Sequence, residues 1–158
     1  MVTSVDYTGR AVDQLIFQGV VAVGDQLVAT GWGEAGEMCT GVQKVAQTWT
    51  SLFLTDLGSI PHDLPRGSSF LPAIRMGRIQ VDEDVEAEFN LAADRVSRTM
   101  DQDAADVGTL PDDERLDEAI LVDFRIDQAA SKLYLIVNVR TIAGDARTIF
   151  LPVPVSFR

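Results

Sequence analysis

The sequence has one cysteine, Cys39, and one histidine, His62, among its 158 residues. A lone cysteine excludes a disulfide within the chain and a thiolate metal cage, so packing alone must hold the fold. A lone histidine leaves any metal site to carboxylates, and no spacing of acids singles one out. No cofactor is expected. Basic residues are scarce as well: 13 Lys and Arg face 24 Asp and Glu, giving a net charge of −11. Phosphate contacts need a basic face, so free nucleic acid is not an expected partner. Long apolar runs are missing. Val20 to Val23 and Ala119 to Val122 are typical, far below the roughly 20 residues of a membrane-spanning helix. No membrane partner is expected. The opening MVTSVDYTGR lacks a basic segment followed by an apolar core, so no signal peptide is read and folding in the cytoplasm is expected.

What is present suffices for one core. Apolar residues make up 46% of the chain, and the length suits one domain with an extension. Residues 1–41 read as the extension. Leu15 to Val23 and Gln26 to Thr30 are rich in β-formers around a Gly24-Asp25 turn signal, which predicts a β-hairpin. Gly31, Gly33, Gly36 and Gly41 follow as a flexible exit.

Residues 42–158 read as the main domain. Thr40-Gly41-Val42-Gln43 has the form of a capping box. Val42, Val45, Ala46, Trp49, Leu52 and Phe53 then recur at helical spacing, with Gln43, Lys44, Gln47, Thr50 and Ser51 on the wet side and Gly58 as the stop. Pro61, Pro65, Gly67, Pro72 and Gly77 preclude a long regular element over 59–78, although Phe70, Leu71, Ile74 and Met76 can pin the segment to a core. Asp82-Glu83-Asp84 suit the positive end of a second helix, whose buried stripe is Val85, Phe89, Ala92, Val96 and Met100. That helix is expected to fray from Gln102 and to end by Gly108.

The last third alternates with period two. Ile120, Val122, Phe124 and Ile126 mark one face of a first strand, Leu133, Leu135, Val137 and Val139 that of a second, and Ile149, Leu151, Val153 and Val155 that of a third. Short turns at Gln128 to Ser131 and Ala143 to Asp145 predict an antiparallel meander. Pro152 and Pro154 share one side of the third strand and donate no N–H there, which places that strand at an edge or at the end of its pairing. The fold class is α+β: two helices packed on one face of an antiparallel C-terminal meander, with an N-terminal β-hairpin extension.

Motifs of chemistry are weak. Gly31 to Gly36 satisfies G-x-G-x-x-G by letter, but no parallel βαβ unit surrounds it. Asp101 to Asp106 starts like a calcium loop, yet Ala105 and Asp106 stand where an oxygen ligand and glycine are required. Ser59, Ser68, Ser69 and Asp63 flank His62 without a nucleophile elbow. With 24 acids, paired carboxylates carry no information. Eight of those acids lie between Asp101 and Glu118 with Arg115 as the only base, which reads as a solvated segment or as a docking surface for a basic partner.

The order of the pieces is more informative. A helix with Gln47 and Trp49 runs into LFLTDLGSIPHDLPRGSSF, then an acid-started helix, then RLDEAILVDFRIDQAASKLYLIVNVRTIAGDARTIFLPVPV. From Val42 to its end, the chain resembles the sheath-initiator family of baseplate wedge proteins in contractile phage tails, which has relatives in type VI secretion and other injection baseplates. Leu54-Thr55, Gly58, Pro65-Arg66-Gly67 and the final strands carry the likeness. The family's loop holds a Glu-Pro-Arg-like motif; here Leu64 precedes Pro65, and Asp63 is the nearest acid.

The resemblance implies a non-enzymatic virion protein of the tail baseplate, assembled in the host cytoplasm as a sixfold ring. Its implied partners are the wedge core subunits, the tail sheath protein and the tube or hub. Asp63, Pro65, Arg66, Gly67, Ser68 and Phe70 are expected at the wedge interface. Ile149, Leu151, Val153 and Val155 are expected where sheath strands add. Two alternatives stand beside this reading: a small cell-wall glycan hydrolase resembling lysozyme, and an acidic adaptor.

Overall fold

A computed structural model describes residues 10, 12–14, 17–18, 29–30 and 38–155. In the N-terminal part, β1 (Asp13–Gln14) pairs antiparallel with β4 (Met38–Cys39), and β2 (Phe17–Gln18) with β3 (Ala29–Thr30). The expected turn at Gly24-Asp25, the rest of both expected hairpin strands, and Gly31, Gly33 and Gly36 lie outside the described residues. Among the described residues, polar ties join this part to the main domain. Arg10 pairs with Asp113 and Glu114, and Gln47 Nε2 donates to Asp13 Oδ2 at 3.2 Å.

The main domain is α+β. Helix α1 (Gly41–Leu54) is followed by α2 (Phe70–Arg75), α3 (Asp82–Val107), a 3-10 turn (Asp112–Glu114) and strands β5 (Leu116–Asp127), β6 (Lys132–Thr141) and β7 (Ala146–Pro154). The three strands form one antiparallel sheet in the order β5-β6-β7. The helices cover one face of it: Val45, Trp49, Phe53, Phe70, Phe89 and Val96 meet Leu133, Leu135, Val137, Val139, Leu151 and Val153 in a single core.

The apolar stripe of α1 is buried as the spacing predicts, but the wet side is not. Gln47 and Thr50 are only 3% and 1% exposed. The N-terminal segment reaches Gln47 through Asp13, and the Thr50 hydroxyl donates to the Ala46 carbonyl at 2.8 Å. The capping box does not form, since the Thr40 side chain makes no cap hydrogen bond. The helix also stops at Leu54, before Gly58.

A short helix, α2, forms in the proline-rich stretch. Pro72 is its third residue, where a helix has no use for the missing N–H. In α3 the acids cap as expected: the Asp84 carboxylate accepts from the Gln80 and Val81 amides at 2.9 and 3.1 Å. No fray begins at Gln102. The helix runs to Val107, because Met100 packs on the core and Asp103 is held by an arginine from the loop, and Gly108 at φ +91° ends it.

The alternation expected for β5 is half right. Phe124 and Ile126 pack toward the core, but Ile120 and Val122 are 48% and 60% exposed. The core-facing residues of the first half are instead Ala119 and Leu121. Leu121 pairs with Val137 and Asp123 with Ile136, so Val122 is one residue too many. A β-bulge there moves the buried set from odd to even positions. The face of the sheet away from the helices carries Ile120, Val122, Tyr134, Ile136, Phe150 and Pro152. Tyr134 and Phe150 stack there with ring centroids 5.4 Å apart, and Arg125 lies 5.9 Å from the Tyr134 ring.

Candidate functional site

Two surfaces bear on function: the loop from Thr55 to Ser69, and the two edges of the sheet. The loop is built around Ser68. Its hydroxyl donates to the Phe53 carbonyl at 2.6 Å and accepts the Phe70 amide at 3.2 Å. The Phe53 carbonyl is one of those a helix end leaves unpaired. The Ser68 amide donates to the Thr55 carbonyl at 2.8 Å, and the Leu57 amide to the Ser68 carbonyl at 2.9 Å. These bonds make a parallel bridge between Asp56 and Ser68 that closes the loop at its neck. Ser68→Ala should therefore cost about 1–3 kcal/mol, since it strands a buried acceptor and a buried donor. Urea denaturation measures this, and a cost under about 0.5 kcal/mol would remove Ser68 from that role.

Ser68 and Phe70, expected at an interface, are fully buried. Phe70 belongs to the core, its ring 4.9 Å from that of Phe53. The proline and glycine pattern signals a surface loop, but Phe70, Leu71 and Ile74 pin its end to the core as their apolar character allows, whereas Met76 stays exposed. Gly67 is also buried, while Pro65 is exposed and Asp63 half-buried.

Arg66 does not project as a free charge. Its Nη1 and Nη2 bond Asp103 Oδ1 and Oδ2 at 3.1 and 2.8 Å, and Asp63 lies 3.7 Å away. The bonds to Asp103 push the guanidinium's pKa further up. Such a two-pronged pair is the geometry expected of Arg66 toward a partner carboxylate, but the carboxylate comes from α3 of the same chain. Arg95 adds a bond to the Pro65 carbonyl at 3.4 Å, so α3 holds the loop at two points. Asp103 was invisible as a loop residue because 37 positions separate it from Arg66. Around this anchored loop, Leu64 and Met76 are exposed apolar side chains.

His62 sits exposed in the loop. Ser68, one of its sequence neighbours, has its hydroxyl committed to Phe53 and Phe70, so it is not arranged as a nucleophile. Among the described residues no three His, Cys, Asp or Glu side chains cluster as a metal site. A groove of about 180 Å³ lies between α1 and the end of α3, with Asp101, Asp103 and Glu114 in its walls. Asp103 and Glu114 already accept from Arg66 and Arg10.

The acidic segment is largely paired. Asp103 meets Arg66, Asp112 meets Arg115, Asp113 and Glu114 meet Arg10, and Asp117 and Glu118 meet Arg140. Helix, 3-10 turn and strand run through it, so it is not a solvated linker. Burial pushes the Cys39 thiol's pKa up, with Asp13 adding in the same direction.

The sheet has two edges, and they differ. On β5 the run is broken by two bulges, and the Phe124 amide is taken by the Asp123 carboxylate at 2.8 Å. Bulges and self-bonded amides blunt an edge. On β7 the register against β6 is regular from Ala146 to Pro154. As the prolines indicated, β7 is an edge strand. The side chains of Leu151, Val153 and Val155, expected at a sheath interface, are buried in the core, and Ile149 packs against it. Anything that meets this strand at its edge meets the main chain of the intervening residues. Those residues, Thr148 and Phe150 among them, were not selected by hydrophobic alternation, which marks the core face and not the edge.

The chain matches no family model and no curated protein sequence.

Proposed function

We propose that the chain is a structural subunit of a contractile-tail baseplate that joins the wedge core to the first sheath ring and starts sheath assembly by strand addition. The observation that carries the reading is the edge of β7: a regular strand, opposite the blunted edge of β5, in a meander with one face packed by helices. An edge of this kind is a template for β-augmentation through main-chain bonds. The likeness of the chain from Val42 onward to sheath-initiator wedge proteins supplies the partners: wedge core, sheath, and tube or hub. A sixfold ring in the virion baseplate would multiply modest contacts into firm attachment. Docking of the Pro-Gly loop then rests on its rigid shape and on exposed Leu64 and Pro65, because the Arg66 charge is already balanced by Asp103.

Particles lacking this protein should assemble tube and wedge but carry no sheath in electron micrographs. A full-length sheath on such particles would overturn the reading. Removing residues 147–158 alone is a poor substitute, because it takes Leu151 and Val153 out of the core and tests folding.

A further inference from the structure

We infer that the outer edge of β7 accepts a partner strand only over Ala146–Phe150, and that Pro152 and Pro154 set where that ladder ends. The inference rests on the strand-addition reading and fixes its register. In a β-strand, N–H and C=O of one residue point to the same side, and successive residues alternate. The Val155 amide donates to the Ser131 carbonyl at 3.0 Å, on the β6 side. Odd-numbered residues of β7 therefore face β6, through the regular register that pairs Leu151 with Leu135 and Val153 with Leu133. Even-numbered residues face outward: Ala146, Thr148, Phe150, Pro152 and Pro154.

The outward edge is thus unequal along its length. Ala146, Thr148 and Phe150 offer both a donor and an acceptor. Pro152 and Pro154 offer a carbonyl alone. A strand laid along the first three completes a ladder; carried past Phe150, it would leave its own carbonyls without donors. The same prolines cost the native sheet nothing, because their nitrogens point away from β6. They limit sticky edge to the half where it is used, a known way of restraining unwanted pairing.

The occupant is an extended segment of a sheath subunit. Its hydrogen-bonding pattern must complement three full pairing positions followed by bare acceptors. Beside Phe150 it must carry an apolar side chain, extending the Tyr134 and Phe150 stack on the uncovered face. Adjacent pairing would make a four-stranded sheet of the three-stranded one.

The test compares particles made with Thr148→Pro and with the double variant Pro152→Ala, Pro154→Ala. Thr148→Pro removes one outward donor, keeps every main-chain bond to β6 and gives up only the exposed 3.5 Å bond from Asn138 Nδ2 to the Thr148 hydroxyl, so its thermal midpoint should stay close to the parent's. Sheathed particles should fall about tenfold, the effect of roughly one hydrogen bond per subunit. The double variant adds two donors, and sheath should stay attached to a higher guanidinium concentration. Normal sheath with Thr148→Pro, on particles that are bare when the protein is absent, overturns the window and leaves the proposed function standing. Sheath on particles without the protein overturns the function itself. Should Thr148→Pro not fold, an unchanged guanidinium midpoint for the double variant overturns the window alone. A concentration-dependent dimer of the purified protein that Thr148→Pro abolishes would make a second copy, not sheath, the occupant.

Discussion

Phe53→Ala is expected to lower stability by about 3–5 kcal/mol, the usual cost of emptying an aromatic site in a core. Phe53 is fully buried near the end of α1, and it is the ring at which three helices meet. Its centroid lies 4.7 Å from Trp49 of α1, 4.9 Å from Phe70 of α2 and 5.3 Å from Phe89 of α3. Helices α1 and α3 and the sheet are fixed by their own packing, so they cannot close over the gap. The lost transfer energy and the cavity therefore add. The loop neck would loosen as well, because the Phe53 carbonyl receives the Ser68 hydroxyl. Urea denaturation should show a lower midpoint with an unchanged slope. A loss under about 1.5 kcal/mol would mean that the neighbouring rings refill the space and that the cluster is not the rigid centre described above.

Gly67→Ala is the second large effect, expected at about 3 kcal/mol. Gly67 has φ +106°, a conformation that L side chains rarely adopt. A Cβ built there would lie 2.6 Å from the Thr55 carbonyl oxygen and 3.1 Å from that of Asp56. Both are main-chain atoms, and Thr55 is the acceptor for the Ser68 amide, so relief of the clash must open the neck of the loop. The Ser68 and Leu57 amides should lose hydrogen-exchange protection together. Gly58→Ala makes the comparison. Gly58 also has positive φ, +80°, but nothing stands within 4 Å of an added Cβ. It should cost only the conformational part, about 1–2 kcal/mol. Equal losses at the two sites would show that the close approach at Gly67 is not what demands glycine.

These two positions also separate what was legible from what was not. The buried stripe of α1 was readable because a 3.6-residue period repeats over several turns, and Phe53 fell on it. Gly67 belongs to a turn-rich stretch, yet its reason is contact with Thr55 and Asp56, twelve and eleven positions earlier, which no local pattern carries. Arg66 shows the same limit. Its type marked it as a maker of two-pronged bonds, but the partner, Asp103, was decided by how α3 lies across the loop. Prolines and glycines label the stretch as a surface loop, which puts Ser68 and Phe70 at an interface, while the apolar set Phe70, Leu71, Ile74 and Met76 offers a tie to the core; only the tertiary structure decides that Phe70, Leu71 and Ile74 make that tie and Met76 does not.

The sheet divides along the same line. Period two and the short turns determined the three strands and their antiparallel order. Prolines 152 and 154 limited β7 to an edge or to the end of its pairing, because a residue without N–H is excluded from a central ladder, and the strand order decided for the edge. The Val122 bulge came only with the tertiary structure, since one inserted residue exchanges the faces of β5 without changing its composition. So did the pairing of the acidic segment, where arginines distant in sequence converge on charges that read in isolation as solvated. Local periodicity and backbone chemistry are properties of neighbouring residues and are written in order along the chain. Partners across the fold are chosen by packing, and they exist only once the helices have settled on the sheet.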